Sequence, residues 1–167
     1  MPDSRRKPQI AATPRGRPAR ARQLASEASG RGYRLENQIG HLLRRAHQRH
    51  VSIFLSIFSE TGLTPTQFAA LFRLYEDGPL SQNELGRLTA MDPATIKGVV
   101  ARLERRGLVE RRPDPGDQRR ISVSLTVAGR GMIPNLLAKA EQATKVTLTP
   151  LNSAEAANLL ALLRRLC

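Results

Sequence analysis

The stretch "VVARLERRGLVERRPDPGDQRRISVSLT", residues 99–126, gathers Arg102, Arg105, Arg106, Arg111, Arg112, Arg119 and Arg120 on one helix end and one hairpin. Guanidinium groups at this density suit one kind of chemistry, the binding of polyanions through forked, charge-assisted hydrogen bonds. The segment "DPATIKGVVARLERRG" reads as a helix whose core face is Ile96, Val99, Val100 and Leu103. Thr95, Lys97, Gly98, Ala101 and Arg102 are left outside. A helix end bearing small residues, a hydroxyl, a lysine and an arginine can enter a DNA major groove, where large acidic side chains would be repelled by phosphate. Asp92, the one acid nearby, is assigned to capping the helix, and Gly107 to stopping it.

The neighbouring segments must hold that helix in place. "SQNELGRL" reads as a shorter helix, joined to it through "TAM", with Ser81 and Glu84 spaced as a capping box. Downstream, "LVERRP" and "RRISVSLT" alternate like two strands, with "PDPGDQ" as their turn. Helix–turn–helix followed by a charged hairpin predicts a winged helix. The arginines of the hairpin would reach phosphates or an adjacent minor groove. The bland alternative is a winged helix used for protein contacts, its arginines a solvated face.

Upstream, "LTPTQFAALFRLYEDGPL" predicts a helix capped by Thr64, started by Pro65 and ended at Gly78-Pro79, with Phe68, Leu71, Phe72 and Tyr75 buried. From Tyr33 to about Glu60 the spacing is also helical: Leu35, Ile39, Leu42, Ala46, Ile53 and Ile57 form one row, and Leu43, Phe54 and Phe58 a second. The chain ends in two more helical stretches. One is apolar at Ile133, Leu137, Ala140 and Leu148, with Pro134 expected to kink or break it. The other is capped at Asn152 or Ser153 and apolar at Leu159, Leu160, Leu163 and Leu166. These terminal helices carry more apolar surface than one small winged helix can cover, so a homodimer is expected. The fold class is mostly α with a small β-hairpin wing, the dimerisation helices being about 33–60 and 130–166 and the DNA-binding lobe about 64–126.

The 167 residues carry 27 Lys or Arg against 14 Asp or Glu, a formal charge of +13. Nine of those cations and two of the acids fall in residues 1–34. Residues 1–30, rich in Arg, Pro, Ala, Ser and Gly, are expected to be a disordered basic arm, either a solubilising tail or a non-specific DNA contact. So basic a chain implies nucleic acid first and an anionic membrane surface second. No apolar run approaches the roughly 18 residues of a membrane span, and no signal-peptide pattern is visible. The lone Cys167 excludes a disulfide framework. A soluble cytoplasmic protein is expected, without cofactor or metal.

The sequence resembles the MarR family of bacterial transcription regulators from roughly Gly40 to the C-terminus. Asp114 to Gly129 is similar to the family's wing signature, DP-x-D-x-R followed by a strand and LT-x-x-G, and "RLERRGLVER" strengthens the match. The resemblance implies an α-helical dimer with one winged helix–turn–helix per subunit. It also implies binding to a double-stranded operator in the nucleoid, usually repression, relieved by a small molecule. It further implies that Asp117 and Arg119 are the wing's Asp-x-Arg pair, Arg119 reaching the groove and Asp117 orienting it. Where many relatives have arginine this chain has Gln118, with Arg120 beside it as a substitute. Pro93, Ala94, Thr95, Lys97, Gly98 and Arg102 match the recognition-helix face, and Ser81 and Gln82 the start of the preceding helix, where backbone N–H groups meet phosphate. "TAMDPATIKGVVARL" and "HLLRRAHQRH" resemble a subgroup controlling catabolism of aromatic and heteroaromatic acids, nicotinate-pathway repressors in particular.

For an aromatic carboxylate effector, the polar candidates are His41, Arg44, Arg45, His47, Arg49 and His50 on the first long helix and Arg73 on the second. An imidazole with a guanidinium can bind such an anion by hydrogen bonding and stacking. The bland reading satisfies His50 with a backbone carbonyl and leaves Arg44 and Arg45 solvated. His41 and His50 are expected on opposite sides of their helix, which disfavours a metal site. No nucleophile–base order, HExxH, phosphate loop or carboxylate pair suggests an enzyme. The competing function is a sequence-indifferent architectural DNA-binding protein.

Overall fold

A computed structural model of the chain describes residues 32–113 and 121–167. The basic arm expected over residues 1–30, and Asp117, Arg119 and Arg120 of the wing, lie outside the described residues. The chain divides into two compact units, Met1–Leu43 and Arg44–Cys167. Among the described residues, helices alternate with one small antiparallel sheet.

In the first unit, a single 3-10 turn, Leu35–Asn37, is followed by Gln38 in an extended conformation (φ −82°, ψ 130°). Helix α1, Ile39–Ile57, therefore starts later than the expected Tyr33. The reason is local: the Gln38 backbone N–H closes the 3-10 turn on Leu35 O, so the apolar row beginning at Leu35 spans two elements.

The second unit carries the core. Helix α2, Pro65–Glu76, begins with a full capping box between Thr64 and Gln67. Its buried residues are Gln67, Ala70, Leu71 and Leu74. Tyr75, expected inside, is 40% exposed and holds Arg130 over its ring at 5.7 Å. Strand β1, Leu80–Ser81, leads into helix α3, Gln82–Leu88, and then helix α4, Pro93–Arg105. Ile96, Val99, Val100 and Leu103 of α4 are all buried, as the spacing predicted. Each apolar side chain buried in this way contributes about 1.5–3 kcal/mol.

Strands β2, Val109–Pro113, and β3, Ile121–Leu125, form the hairpin, paired Val109 to Leu125 and Arg111 to Val123. Beyond it, β1 pairs with the far edge of β3, Leu80 opposite Val123, so the sheet has three strands in the order β1-β3-β2. Two residues are too short to show an alternation, which is why only two strands were expected. Helix α5, Val127–Leu148, continues through Pro134, so of the kink or break expected there the break does not occur. Ile133 and Leu136, buried on either side of that proline, hold both halves to the core. Helix α6, Ser153–Leu166, has a capping box between Asn152 and Glu155 and no buried residue.

Candidate nucleic-acid interface

The turn between α3 and α4 is built by close approach. A Cβ on Gly86 would lie 3.1 Å from both Ile96 Cγ2 and Met91 O, so a side chain there would push the two helices apart. Ala90 takes a left-handed conformation (φ 52°), and Met91 N–H returns to Gly86 O at 2.9 Å. At the start of α4, the Asp92 carboxylate accepts from Ala94 N (3.0 Å), Thr95 N (2.9 Å) and the Thr95 hydroxyl. These bonds, the one from the Thr95 hydroxyl foremost, hold the carboxyl below its ordinary pKa. The one acid at this helix end is therefore turned onto its own backbone. At the other end Gly107 (φ 67°) closes a complete Schellman motif, Leu108 N–H reaching Leu103 O at 3.0 Å and Gly107 N–H reaching Glu104 O at 2.9 Å.

Between those stops, Pro93, Ala94, Thr95, Lys97 and Arg102 are exposed and Gly98 and Ala101 half-buried, on the side of α4 away from the core. Arg102 folds back along the helix, its guanidinium 3.5 Å from where a Gly98 Cβ would be, so the glycine is a flat shelf under the arginine. Among the described residues no carboxylate lies within ion-pair distance of Lys97 or Arg102.

Ser81 and Gln82 are half-buried and, with Asn83 and Ile121, border an open depression of about 400 Å³. The Ser81 hydroxyl accepts from Glu84 N–H at 3.2 Å, but the expected capping box is only half formed. The Glu84 carboxylate faces Arg87 instead, at 3.6 Å. At the root of the wing, Arg111 donates to Glu104 of α4 at 2.9 Å and reaches Gln82 Oε1 at 3.5 Å, while Arg112 pairs with Glu110 at 2.9 Å. Arg111, expected to serve phosphate with the other hairpin arginines, is instead paired with Glu104, a residue the sequence had not singled out.

The polar residues proposed for an effector are scattered. His41, half-buried, belongs to the first unit; Arg44, Arg45 and His47 are exposed. Arg73 is paired with Glu76 (3.2 Å) and Asp77 (3.8 Å) on its own helix. His50 is half-buried, with Nδ1 3.0 Å from the Thr147 hydroxyl. That hydroxyl already donates to Ala143 O at 2.7 Å, so the histidine must donate through Nδ1–H, leaving Nε2 as an acceptor. Burial, with His47 nearby adding to it, lowers the His50 pKa and favours the neutral ring.

An open, mostly apolar groove lies apart from these residues. Phe68 and Phe72 of α2, stacked at 6.0 Å with their planes 12° apart, face Leu137, Ala140, Glu141, Thr144 and Lys145 of α5 across a groove of about 440 Å³. Arg44, Arg45, His47, His50 and Arg73 are not among its lining residues. The spacing of 137, 140, 141, 144 and 145 marks one helix face.

A helix–turn–helix with a cationic, acid-poor second helix, followed by a β-hairpin, is a winged-helix DNA-binding module. Residues 63–121 match the MarR family, and the chain belongs to it. The HTH-type transcriptional repressor NicR of Pseudomonas putida is 42% identical over 134 residues, covering 80% of this chain and 85% of the relative. A probable transcriptional regulator from Pseudomonas aeruginosa is 53% identical at a TM-score of 0.76, covering 80% of this chain and all of that one. BpsR of Bordetella bronchiseptica, described with a mechanism by which 6-hydroxynicotinic acid regulates its DNA binding, is 41% identical at a TM-score of 0.75, covering 80% and 96%. The chain is thus a MarR-type transcriptional regulator rather than an enzyme. No helix among the described residues is long and apolar enough to cross a membrane.

Proposed function

We propose that the chain is a homodimeric repressor that reads a pseudo-palindromic operator with two copies of α4 and releases it when a small aromatic or heteroaromatic carboxylate binds. The observation carrying this reading is the division of α4, an apolar face wholly buried and an outer face of Thr95, Lys97, Gly98 and Arg102 with its one nearby acid tied down as a cap. Dimerisation is supported by apolar side chains the chain leaves exposed: Ile39, Leu42 and Leu43 on α1, and Leu159, Leu162 and Leu166 on α6. A two-fold protein would place its recognition helices in half-sites about 10 base pairs apart. In this reading Ser81 and Gln82 meet phosphate, while Asp117, Arg119 and Arg120 serve the wing.

The groove between α2 and α5 suits a flat aromatic ring, with Lys145 and Glu141 both on its wall. The Phe68 and Phe72 rings offer faces for an aromatic ring, and Lys145 offers a charge for its carboxylate. The likeness to BpsR makes 6-hydroxynicotinic acid the probe of choice. Release follows only as far as the acid prefers the conformation that does not bind DNA.

The test is anisotropy titration of a duplex selected from a random pool by the protein itself. A specific regulator prefers it to unrelated DNA by a factor of roughly a thousand or more at physiological salt. 6-Hydroxynicotinic acid should weaken that binding, and Lys145→Met should remove the response while leaving DNA affinity intact. Equal affinity for all duplexes would support the architectural alternative, and a monomer in sedimentation would refute the two-fold reading.

A further inference from the structure

Three elements of the winged helix meet at one side chain. Arg111 lies on β2, opposite Val123 and on the same side of the strand as buried Val109. From there its guanidinium reaches Glu104 Oε2 on the C-terminal half of α4 at 2.9 Å and Gln82 Oε1 at the start of α3 at 3.5 Å. One planar, forked group thus spans wing strand, recognition helix and the helix before it, a geometry an ammonium could not copy.

We infer that Arg111 is a positioning residue of the DNA interface: it fixes the wing strand against α4 and, by holding Gln82 Oε1, turns the Gln82 amide N–H₂ outward to donate to a phosphate. Three physical points carry this. The amide has one acceptor and two donors, so a guanidinium on the oxygen settles which end faces solvent. The Arg111 and Glu104 side chains are 36% and 38% exposed, and ion pairs at that exposure add little to stability, so a stabilising role is a poor account of the pair. Finally, the Glu104 carboxylate beside the guanidinium neutralises the charge a phosphate contact would need. Arg111 therefore acts through Gln82 and the wing angle, and touches no nucleotide itself. Arg112, paired within its own strand to Glu110, has no such reach across elements.

The inference rests on the reading of Ser81 and Gln82 as part of the interface, and a double-mutant cycle separates the two. Full-length wild type, Gln82→Ala, Arg111→Met and the double variant are titrated with the selected duplex and an unrelated one over a range of salt. Each single variant is expected to weaken binding to the selected duplex about tenfold, and the double variant by little more, because both remove one contact. On the unrelated duplex, Arg111→Met should keep the wild-type slope of log affinity against log salt, whereas loss of a phosphate-contacting cation lowers it by about 0.9. Glu104→Gln should lose part of the same discrimination. Arg111→Lys keeps a charge and the Glu104 partner but not the fork, guards against a folding defect, and should behave as Gln82→Ala.

Multiplying losses in the double variant, or a slope reduced in Arg111→Met, would overturn the inference. So would a Glu104→Gln variant that grips every duplex more tightly with a steeper slope, since Arg111 would then be a masked phosphate ligand. Wild-type binding by Gln82→Ala alongside weakened Lys97→Ala would sink this inference and leave the interface standing. Wild-type binding by both would sink the interface reading as well.

Discussion

Gly129→Ala is the perturbation whose outcome follows most directly from the packing. Gly129 lies in the first turn of α5, its N–H bonded to the Thr126 hydroxyl at 3.0 Å. A Cβ there would overlap the Leu108 carbonyl oxygen and lie 3.0 Å from its carbon and 3.3 Å from its Cα. The obstacle is backbone, with no rotamer to turn aside. It is also already in use: Thr126 N–H donates to Leu108 O at 3.2 Å, and the Thr126 hydroxyl to Gly107 O at 2.7 Å. Alanine gains up to about 1 kcal/mol from helix propensity. Against this, overpacking costs about 1–3 kcal/mol, and the two strained bonds about 1 kcal/mol each. The balance is a loss of about 2–4 kcal/mol, or a Tm roughly 10 °C lower for a domain of this size. Gly131, two residues on, has nothing within 4 Å of its would-be Cβ, and Gly131→Ala should stabilise by about 0.5–1 kcal/mol. Calorimetry of both variants at one protein concentration checks the pair, since association would otherwise shift Tm. A Gly129→Ala protein melting at or above wild type would refute the packing argument.

The Asp92 carboxyl has a folded pKa below its unfolded value, so its stabilisation is present above about pH 4 and is lost as pH falls through the folded pKa. Asp92→Asn should therefore flatten the acid limb of a Tm-against-pH curve and leave the slope above pH 6 unchanged. Lys97→Ala should weaken selected and unrelated duplexes alike and reduce the salt slope by about 0.9, read by anisotropy. Arg106 donates to Thr61 O and, at 3.3 Å, to Gly62 O, joining the end of α4 to the turn after α1. Arg106→Ala should lower stability by about 1–2 kcal/mol in urea denaturation, reduced from a buried pair's worth by solvent.

The winged helix was legible because its signals are local. Asp92-Pro93, the Gly107 stop and the spacing of Ile96, Val99, Val100 and Leu103 each lie within one turn of what they specify, and all four apolar residues are buried. Elsewhere the signal was longer in range. Tyr75 and Leu74 are equally plausible core residues by type, yet Leu74 is buried while Tyr75 is exposed beneath Arg130 of α5. β1 owes its existence to pairing with β3, more than forty residues away. Arg111 reads as one more wing cation until the sheet register places it beside Glu104. The groove was missed for a chemical reason, because Phe68 and Phe72 read as core.

The apolar rows of α1 and α6 point to a further distinction. Periodicity reports every surface a helix must keep from water, whichever chain supplies the cover. On α1 the row is fulfilled at Phe54 and, just past its end, Phe58, and unfulfilled at Ile39, Leu42 and Leu43. On α6 no residue is fully buried: Leu160 and Leu163 are half-covered, while Leu159, Leu162 and Leu166 are exposed, Leu166 at 70%. By contrast α4, whose polar face would meet DNA, leaves no large apolar residue exposed. Scattered exposed apolar residues would distribute over all helices alike. Val127 and Val146 of α5 and Tyr75 of α2 are exposed as well, but the runs on α1 and α6 are the ones a second copy of the chain would cover in the proposed dimer, with α4 left free for the groove.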